Sequence, residues 1–285
     1  MSQRIVIIGA GGLVGTVLAA QATQRGHEVL GLTSAQCDVT DATAVERHID
    51  ADDAVINCAA YTKVDDAERD EARAFAVNAT GAENVAHACA RAGAGLVHVS
   101  TDYVFSGDLA GVDRRPYEID DETGPLSVYG RSKLAGEFSV LAAMPDAHVV
   151  RTAWIFSGGD GGDFVATMRR LAAGDGTVDV VADQIGSPTY VGDLVGALLE
   201  AADGKISEPV LHAANGGEAS RFEQARAVFE LVGADPDRVR PVDTGHHPRP
   251  APRPQYSALS SIRSAEAGLT PLRPWRDALA AAIAG

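Results

Sequence analysis

The sequence predicts an α/β fold: a doubly wound parallel sheet followed by a smaller C-terminal unit. Three observations predict it. Short β-branched apolar runs alternate with helical segments as far as residue 156. A glycine-rich turn joins the first run to the first helical segment. Beyond residue 156 the alternation yields to Gly-, Asp- and Pro-rich stretches. Strand–helix alternation marks βαβ units, whose strands lie parallel and are buried on both faces.

Residues 4–10 (RIVIIGA) form a continuous apolar run, as a buried parallel strand requires. The turn Gly9-Ala10-Gly11-Gly12-Leu13-Val14-Gly15 follows, then a helical run over 16–25. Glycines at every third position, between a strand and a helix, suit a pyrophosphate. The first permits the turn, the second lets backbone approach the phosphates, and the third lets the helix pack close to the strand. The helix N-terminus adds its unpaired amides. Gly9, Gly12, Leu13, Val14 and Gly15 are therefore cofactor-binding candidates, and the first unit reads as a Rossmann domain.

Residues 28–33 (EVLGLT) form the second strand, which ends in Thr33 and Ser34 where an acidic residue would select NAD. No arginine is adjacent, so NADPH and NADH both stay open. Asp38 either meets the adenine amino group or caps a helix over 41–49; Val39 follows it. Residues 54–60 (AVINCAA) form the third strand, whose small Ala59 and Ala60, with Tyr61, suit close passage of a cofactor. A long helix over 71–92 carries Asn78, unfavourable in a helix interior, which binds backbone, holds a water or simply sits at the surface.

The stretch 100–133 carries the chemistry. An apolar run (GLVHV) ends at Ser100-Thr101-Asp102-Tyr103-Val104-Phe105, and a polar loop leads to Tyr129-Gly130-Arg131-Ser132-Lys133. Four residues apart, Tyr129 and Lys133 share a helix face. An ammonium beside a phenol lowers its pKa, and such a phenol exchanges a proton with a carbonyl or alcohol oxygen. Thr101 at a strand end can hold the same oxygen. A surface helix bearing an amphipathic pair has the same spacing, so the motif needs its context. Residues 148–156 (HVVRTAWIF) read as the next strand, carrying Arg151, Thr152 and Trp154.

Beyond it lie a loop over 157–163, a helix over 164–173, a strand over 178–181, a turn-rich segment over 183–190 and a helix over 191–202. A strand over 209–215, a helix over 221–232 and a C-terminal helix over 274–284 complete the chain. This half reads as too irregular to continue the sheet. The expected organisation is a dinucleotide-binding domain over 1–156, rejoined by 182–204, and a substrate-binding domain over 157–181 and 205–285. His246-His247 lacks a partner at ligand spacing and reads as a solvated loop.

The net charge is −15, from 24 basic and 39 acidic residues, which argues against nucleic acid or an anionic membrane as partner. Lys63, Lys133 and Lys205 are the only lysines. An acidic, lysine-poor surface suits a halophilic source; a GC-rich genome also replaces lysine by arginine. A melting point that falls when molar salt is removed separates the two. Cys37, Cys58 and Cys89 form no metal or disulfide pattern, consistent with a reducing cytoplasm. The chain opens directly on a strand, without the pattern of a signal peptide, and no apolar run is long enough to span a bilayer.

Together, the glycine turn, residues 57–68 (NCAAYTKVDDAE), 100–107 (STDYVFSG), Tyr129-x-x-x-Lys133, 151–154 (RTAW) and 183–190 (DQIGSPTY) resemble the extended short-chain dehydrogenase/reductases. Within them the chain is similar to the dTDP-4-dehydrorhamnose reductase family. The resemblance implies reduction of the 4-keto group of a nucleotide-linked 6-deoxy sugar by NADPH or NADH. It implies Tyr129 as general acid, Lys133 as its tuner and nicotinamide-ribose ligand, and Thr101 on the carbonyl. It places Thr62, Asp102, Trp154 and Gln184 around the substrate. The partner is thus a nucleotide sugar, and the chain is expected as a monomer or homodimer.

Two departures limit the transfer. Family members often end with an Arg-Pro-x-Asn-Ser stretch, where this chain has Arg253-Pro254-Gln255-Tyr256-Ser257. Some relatives dimerise around magnesium held by glutamates, one just after the glycine turn; here Thr16, Val17 and Leu18 stand there, so no metal is expected. A dehydratase or epimerase of the same fold, and a non-catalytic reductase-like regulatory subunit of methionine adenosyltransferase, are the competing readings. Dehydratases carry Asp-Glu after the threonine, where this chain has Asp102-Tyr103. The intact Thr101/Tyr129/Lys133 set weighs against a non-catalytic role.

Overall fold

A computed structural model describes residues 3–107, 114–159 and 161–285. The chain runs β1 (Arg4–Ile8), α1 (Leu13–Gln24), β2 (Glu28–Leu32), α2 (Ala42–Glu46), β3 (Ala54–Asn57), α3 (Val64–Ala67) and α4 (Glu71–Phe75). A π-helical turn (Ala76–Thr80) leads into α5 (Gly81–Ala92), β4 (Gly95–Thr101), α6 (Val128–Ala143), β5 (His148–Thr152), β6 (Ile155–Phe156) and α7 (Phe164–Ala172). Then come β7 (Val178–Val181), β8 (Ile185–Gly186), β9 (Thr189–Tyr190), α8 (Val191–Ala202), β10 (Val210–His212), β11 (Ala219–Ser220) and α9 (Arg221–Leu231). β12 (Val239–Val242), α10 (Ile262–Glu266) and α11 (Trp275–Ala284) complete it.

Six parallel strands form the main sheet in the order β10-β5-β4-β3-β1-β2. The winding reverses between β1 and β3, the kind of switch point where open α/β sheets bind ligands. Side chains alternate across each strand, so β1 feeds two cores. Ile5 and Ile7 pack with Leu18 of α1 and Leu194 and Leu198 of α8; Val6 and Ile8 pack with Val85 of α5 and Val140 of α6. Burial on both faces is why the strand reads as an unbroken apolar run. Among the described residues no helix is long and apolar enough to cross a membrane.

Three sequence expectations change. The strand expected over 209–215 does continue the sheet, because Val210–His212 pair in parallel with Val149–Arg151. Its few residues lack a periodic signal; pairing with β5 supplies the backbone hydrogen bonds. The strand expected over 148–156 breaks at Trp154, whose φ of 44° is left-handed. That turn carries Ile155–Phe156 out of the sheet to pair with Thr189–Tyr190. The long helix expected over 71–92 contains the π-helical turn, and Asn78 lies buried within it.

The third core lies outside the sheet. Phe156, Val165 and Met168 meet Phe229, Val239, Trp275 and Leu279 there. α7, α9 and α11 supply most of it, with β7 and β12 paired in parallel at its side. Its elements face the C-terminal ends of β4 and β5 through Phe164 and Arg221, which join the same cleft as Thr101.

Candidate active site

The glycine turn is built by close approach. Gly9 has φ +88°, and a Cβ there would stand 2.6 Å from the Ala59 amide nitrogen. A Cβ on Gly15 would stand 2.4 Å from the Gly9 carbonyl oxygen. Gly12 differs: its Cβ would meet that same oxygen at an ordinary 3.5 Å. The fold therefore demands Gly9 and Gly15, while Gly12 leaves clear backbone at the N-terminus of α1. Leu13, 41% exposed, opens that helix, and Val14 lines the cleft beside it.

The cleft has a volume of about 390 Å³ and lies at the C-terminal ends of β3, β4 and β5. Val14, Ala60, Thr62, Thr101, Asp102, Tyr129, Lys133 and Trp154 all line it. A larger hollow of about 670 Å³ lies beside α8, lined also by Arg25, His27 and residues 270–273. Its Arg273 and Asp193 pair with each other at 2.7 Å, and it shares no lining residue with the cleft.

α6 is held tightly in place. Ser127 caps it by accepting from the Gly130 amide at 3.1 Å, and Glu68 accepts from the Val128 amide at 2.8 Å. Asn78 accepts from the Tyr61 amide at 2.8 Å and donates to the Ser132 hydroxyl at 2.9 Å, which donates to the Tyr129 carbonyl at 2.8 Å. Of its three expected roles, Asn78 thus takes backbone binding, and it does so under the catalytic pair. One turn further on, Glu137 accepts from Ser100 at 2.5 Å and from Arg151 at 2.7 Å. Arg151 also donates to the Ile119 carbonyl at 3.1 Å. These buried ionic groups are satisfied on every side, as burial of charge requires.

The electrostatics differ from the expectation. Burial pushes the Tyr129 phenol up, against the lowering effect of its hydrogen bond with Thr101, and Asp102 and Tyr103 push the same way as burial. The Lys133 ammonium is not among the groups that shift it. Burial instead lowers Lys133 itself to about 8, while Glu137 and Cys58 act in the opposite sense. Lys133 Nζ donates to the Val99 carbonyl at 2.6 Å. The helical spacing of Tyr129 and Lys133 puts them on one face; the depth of the cleft sets their proton affinities.

Thr101 donates to Asp102 at 3.1 Å and accepts from the Tyr103 amide at 3.2 Å. Burial raises the Asp102 carboxyl to about 6, opposed by hydrogen bonds from Ser257 (2.6 Å) and Thr101. Arg221 lies with its guanidinium carbon 3.6 Å over the Trp154 ring and 4.9 Å over Phe164. Burial lowers it to about 10. In α3, Asp65 binds Arg253 and Arg249 and accepts from the Ala251 amide.

The family model described as "RmlD substrate binding domain" matches residues 3–285. The chain belongs to this family. The dTDP-4-dehydrorhamnose reductase of Mycolicibacterium smegmatis is 67% identical over 285 residues, covering 100% of this chain and 86% of that protein. The crystal structure of a dTDP-4-dehydrorhamnose reductase from Clostridium acetobutylicum superposes with TM-score 0.90 and 35% identity, over 99% of each chain. That of the Bacillus anthracis dTDP-4-dehydrorhamnose reductase in complex with NADP gives TM-score 0.88 and 36% identity, over 98% of each.

For this member of the RmlD substrate-binding family, several expected positions lie outside the cleft. The Gln184 side chain donates to the Thr244 hydroxyl at 3.0 Å instead of lining the cavity. Val39 belongs to the core against Gly81, whose Cβ would stand 2.6 Å from it. Asp38 does not cap the helix. It accepts from the Thr40 amide and hydroxyl, and Asp41 caps α2, because only Asp41 stands directly before the first helical amides. Asp38, Ala59 and Tyr61 do not line the cleft, although Ala59 and Tyr61 adjoin its lining residue Ala60.

Sequence reasoning missed Tyr103, Phe164 and Arg221 as cleft residues. Arg221 had no readable signal, since it opens an ordinary helix. Gly186 carried one: a Cβ there would stand 2.5 Å from the Trp154 ring, so the glycine of DQIG is the seat of that ring.

Proposed function

We propose that the protein reduces the 4-keto group of a nucleotide-linked 6-deoxy sugar, dTDP-4-dehydro-L-rhamnose, with NADPH or NADH. One observation carries the reading. Thr101, Tyr129 and Lys133 line a single cleft beside the glycine turn, at the ends of parallel strands. Family membership and the reductase relatives support it.

The dinucleotide fits the residues present: clear backbone at Gly12, free helix amides at Leu13 and Val14, and small side chains at Ala59 and Ala60. The reduced nicotinamide supplies hydride to C4 when bound. Lys133 would hold the ribose hydroxyls, and Tyr129 would donate its proton to the oxygen on C4. A phenol held protonated by burial is in the form that reduction consumes. Thr101 turns its hydroxyl from Asp102 to the ketone oxygen, leaving Ser257 on the carboxylate.

Arg221 supports an anionic substrate. In a chain of net charge −15, this cation lines the cleft, stacked on Trp154, and among the described residues it pairs with no carboxylate. A diphosphate is the group it suits. The units around the third core, α7 and α9 above all, then form the substrate side, with residues 1–156 and α8 as the dinucleotide side.

The test mixes the enzyme, dTDP-4-dehydro-L-rhamnose and NADPH or NADH, and follows reduced nicotinamide. One equivalent is consumed per sugar reduced. Interconversion of sugars without net oxidation would identify an epimerase instead, and no turnover with capture of a synthetase would identify a regulatory subunit.

A further inference from the structure

Ser257 stands 155 residues from Asp102 along the chain and donates to its Oδ2 at 2.6 Å. Thr101 donates to Oδ1 of the same carboxyl at 3.1 Å, and its oxygen accepts from the Tyr103 amide at 3.2 Å. Asp102 and Ser257 are each 2% exposed. Asp102 lines the cleft, and Ser257 does not.

The backbone around the serine is held from both sides. The Ser257 amide donates to the Ile185 carbonyl at 2.8 Å, and the Ile185 amide donates to the Gln255 carbonyl at 2.9 Å. Two residues on, the Leu259 amide donates to the Ser187 hydroxyl at 3.0 Å. Upstream, Pro254 packs on Gly107, where a Cβ would stand 2.3 Å from the proline ring. Arg253 donates to both oxygens of Asp65, at 2.5 and 3.1 Å. The Ser257 hydroxyl thus reaches Asp102 from a segment already anchored to α3 and to β8.

We propose that Ser257 is a positioning residue for the reduction: it clamps the Asp102 carboxylate against Thr101 and so fixes the direction of the hydroxyl that meets the ketone. A threonine hydroxyl has one hydrogen and rotates unless something holds it. An ionised carboxyl only accepts, so with Ser257 on Oδ2 it offers Oδ1 to Thr101. Without the serine donor, Oδ2 would be buried and unpartnered, and a buried carboxyl in that state takes up a proton. Once protonated it both donates and accepts, and the Thr101 hydroxyl is no longer held one way.

The groups that face Asp102 agree with this. Burial favours its neutral form; Ser257 opposes burial more than Thr101 does, and Arg221 of α9 acts less than either. Tyr129 of α6 and the adjoining Tyr103 are both held protonated by burial. Arg253, which also faces Tyr103, is engaged by Asp65. Ser257 is therefore the uncharged group that decides the state of this carboxyl. The inference rests on the reductase reading and deepens it, at a residue outside the cleft.

The test compares the wild type with Ser257→Ala, a change that adds and removes no charge. Carboxyl-¹³C aspartate nuclear magnetic resonance on the full chain, with Asp102→Asn to assign the signal, follows the Asp102 titration. Its midpoint is expected to rise by about one to two pH units in Ser257→Ala. The inflection of kcat against pH that Asp102→Asn abolishes is expected to move to higher pH by the same amount. KM for the cofactor should stay near the wild type, and Ser257→Thr should restore midpoint and inflection together. An unmoved midpoint would overturn the proposal, as would a moved midpoint with an unmoved inflection, or a loss of rate that is equal at every pH. If Ser257→Ala does not fold, Ser257→Cys carries the same comparison, since a thiol of similar size is a weak donor. Wild-type protein that reduces no nucleotide sugar would sink the reductase reading and this role with it; turnover with an unmoved inflection would sink this role alone.

Discussion

The backbone of Gly130 rests against Tyr103: a Cβ at Gly130 would stand 2.3 Å from the Tyr103 carbonyl oxygen. This contact brings the first turn of α6 onto the end of β4, and with it Tyr129 onto Thr101. Six residues later a Cβ on Gly136 would stand 2.1 Å from the Asn78 carbonyl oxygen. Two glycines on one helix thus let α6 sink between β4 and the π-helical turn. Gly130→Ala should force the helix outward and cost turnover at least tenfold, with a smaller loss of cofactor affinity, read from steady-state kinetics and cofactor titration.

Tyr129→Phe should reduce turnover by about 10²- to 10⁴-fold, the usual contribution of a general acid. Cofactor affinity and melting temperature should stay near the wild type, since the ring and its edge-on contact with Tyr103 survive. Single-turnover measurement of nicotinamide oxidation checks it.

The glycine turn separates folding from binding. Gly15→Ala and Gly9→Ala should destabilise the protein strongly, because each Cβ would overlap backbone. Gly12→Ala should leave stability within about 0.5 kcal/mol, yet weaken dinucleotide binding. Thermal unfolding and fluorescence titration distinguish the two classes. Equal melting losses at all three positions would contradict the geometry.

Asp102 predicts a pH dependence. Its carboxyl rises from 3.8 to about 6 on folding, so the native state binds the proton more tightly than the unfolded one. Stability therefore falls as pH rises through that window, by about 3 kcal/mol at 1.4 kcal/mol per unit. Asp102→Asn should be the more stable protein at pH 7, and the advantage should vanish below pH ~4. Activity should drop, since the Thr101 hydroxyl rests on this carboxylate before it turns to the ketone. Denaturant unfolding at the two pH values measures the difference.

Arg221→Ala should raise KM for the nucleotide sugar by about 10- to 100-fold, the worth of one or two charge-assisted hydrogen bonds. It should change KM for the cofactor far less. Arg221→Lys should recover only part of the loss, because an ammonium does not stack on Trp154 and Phe164 as a planar guanidinium does.

Much of this was legible in the residues themselves. The buried strands announced their burial by β-branched runs, and the turn at Gly9 announced its geometry by residue type. Tyr129 and Lys133 announced a shared face by spacing, because a helix imposes that face locally. Thr101 at the end of β4 belongs with them. Local physics determines such features, so one chain suffices to read them.

The tertiary structure decided the rest. Burial raises the proton affinity of Tyr129, and burial is a property of the whole packed cleft. Arg221 reaches Trp154 across 67 residues of chain, and Asn78 reaches Ser132 across 54. Gln184 turns away to Thr244 for the same reason: its partner is chosen by packing that no local pattern records. Short strands such as Val210–His212 carry too few residues to declare a period, and only a neighbouring strand makes them part of a sheet. Residue type and spacing act within a few turns of chain, whereas desolvation and long-range contact exist only once the chain has closed on itself.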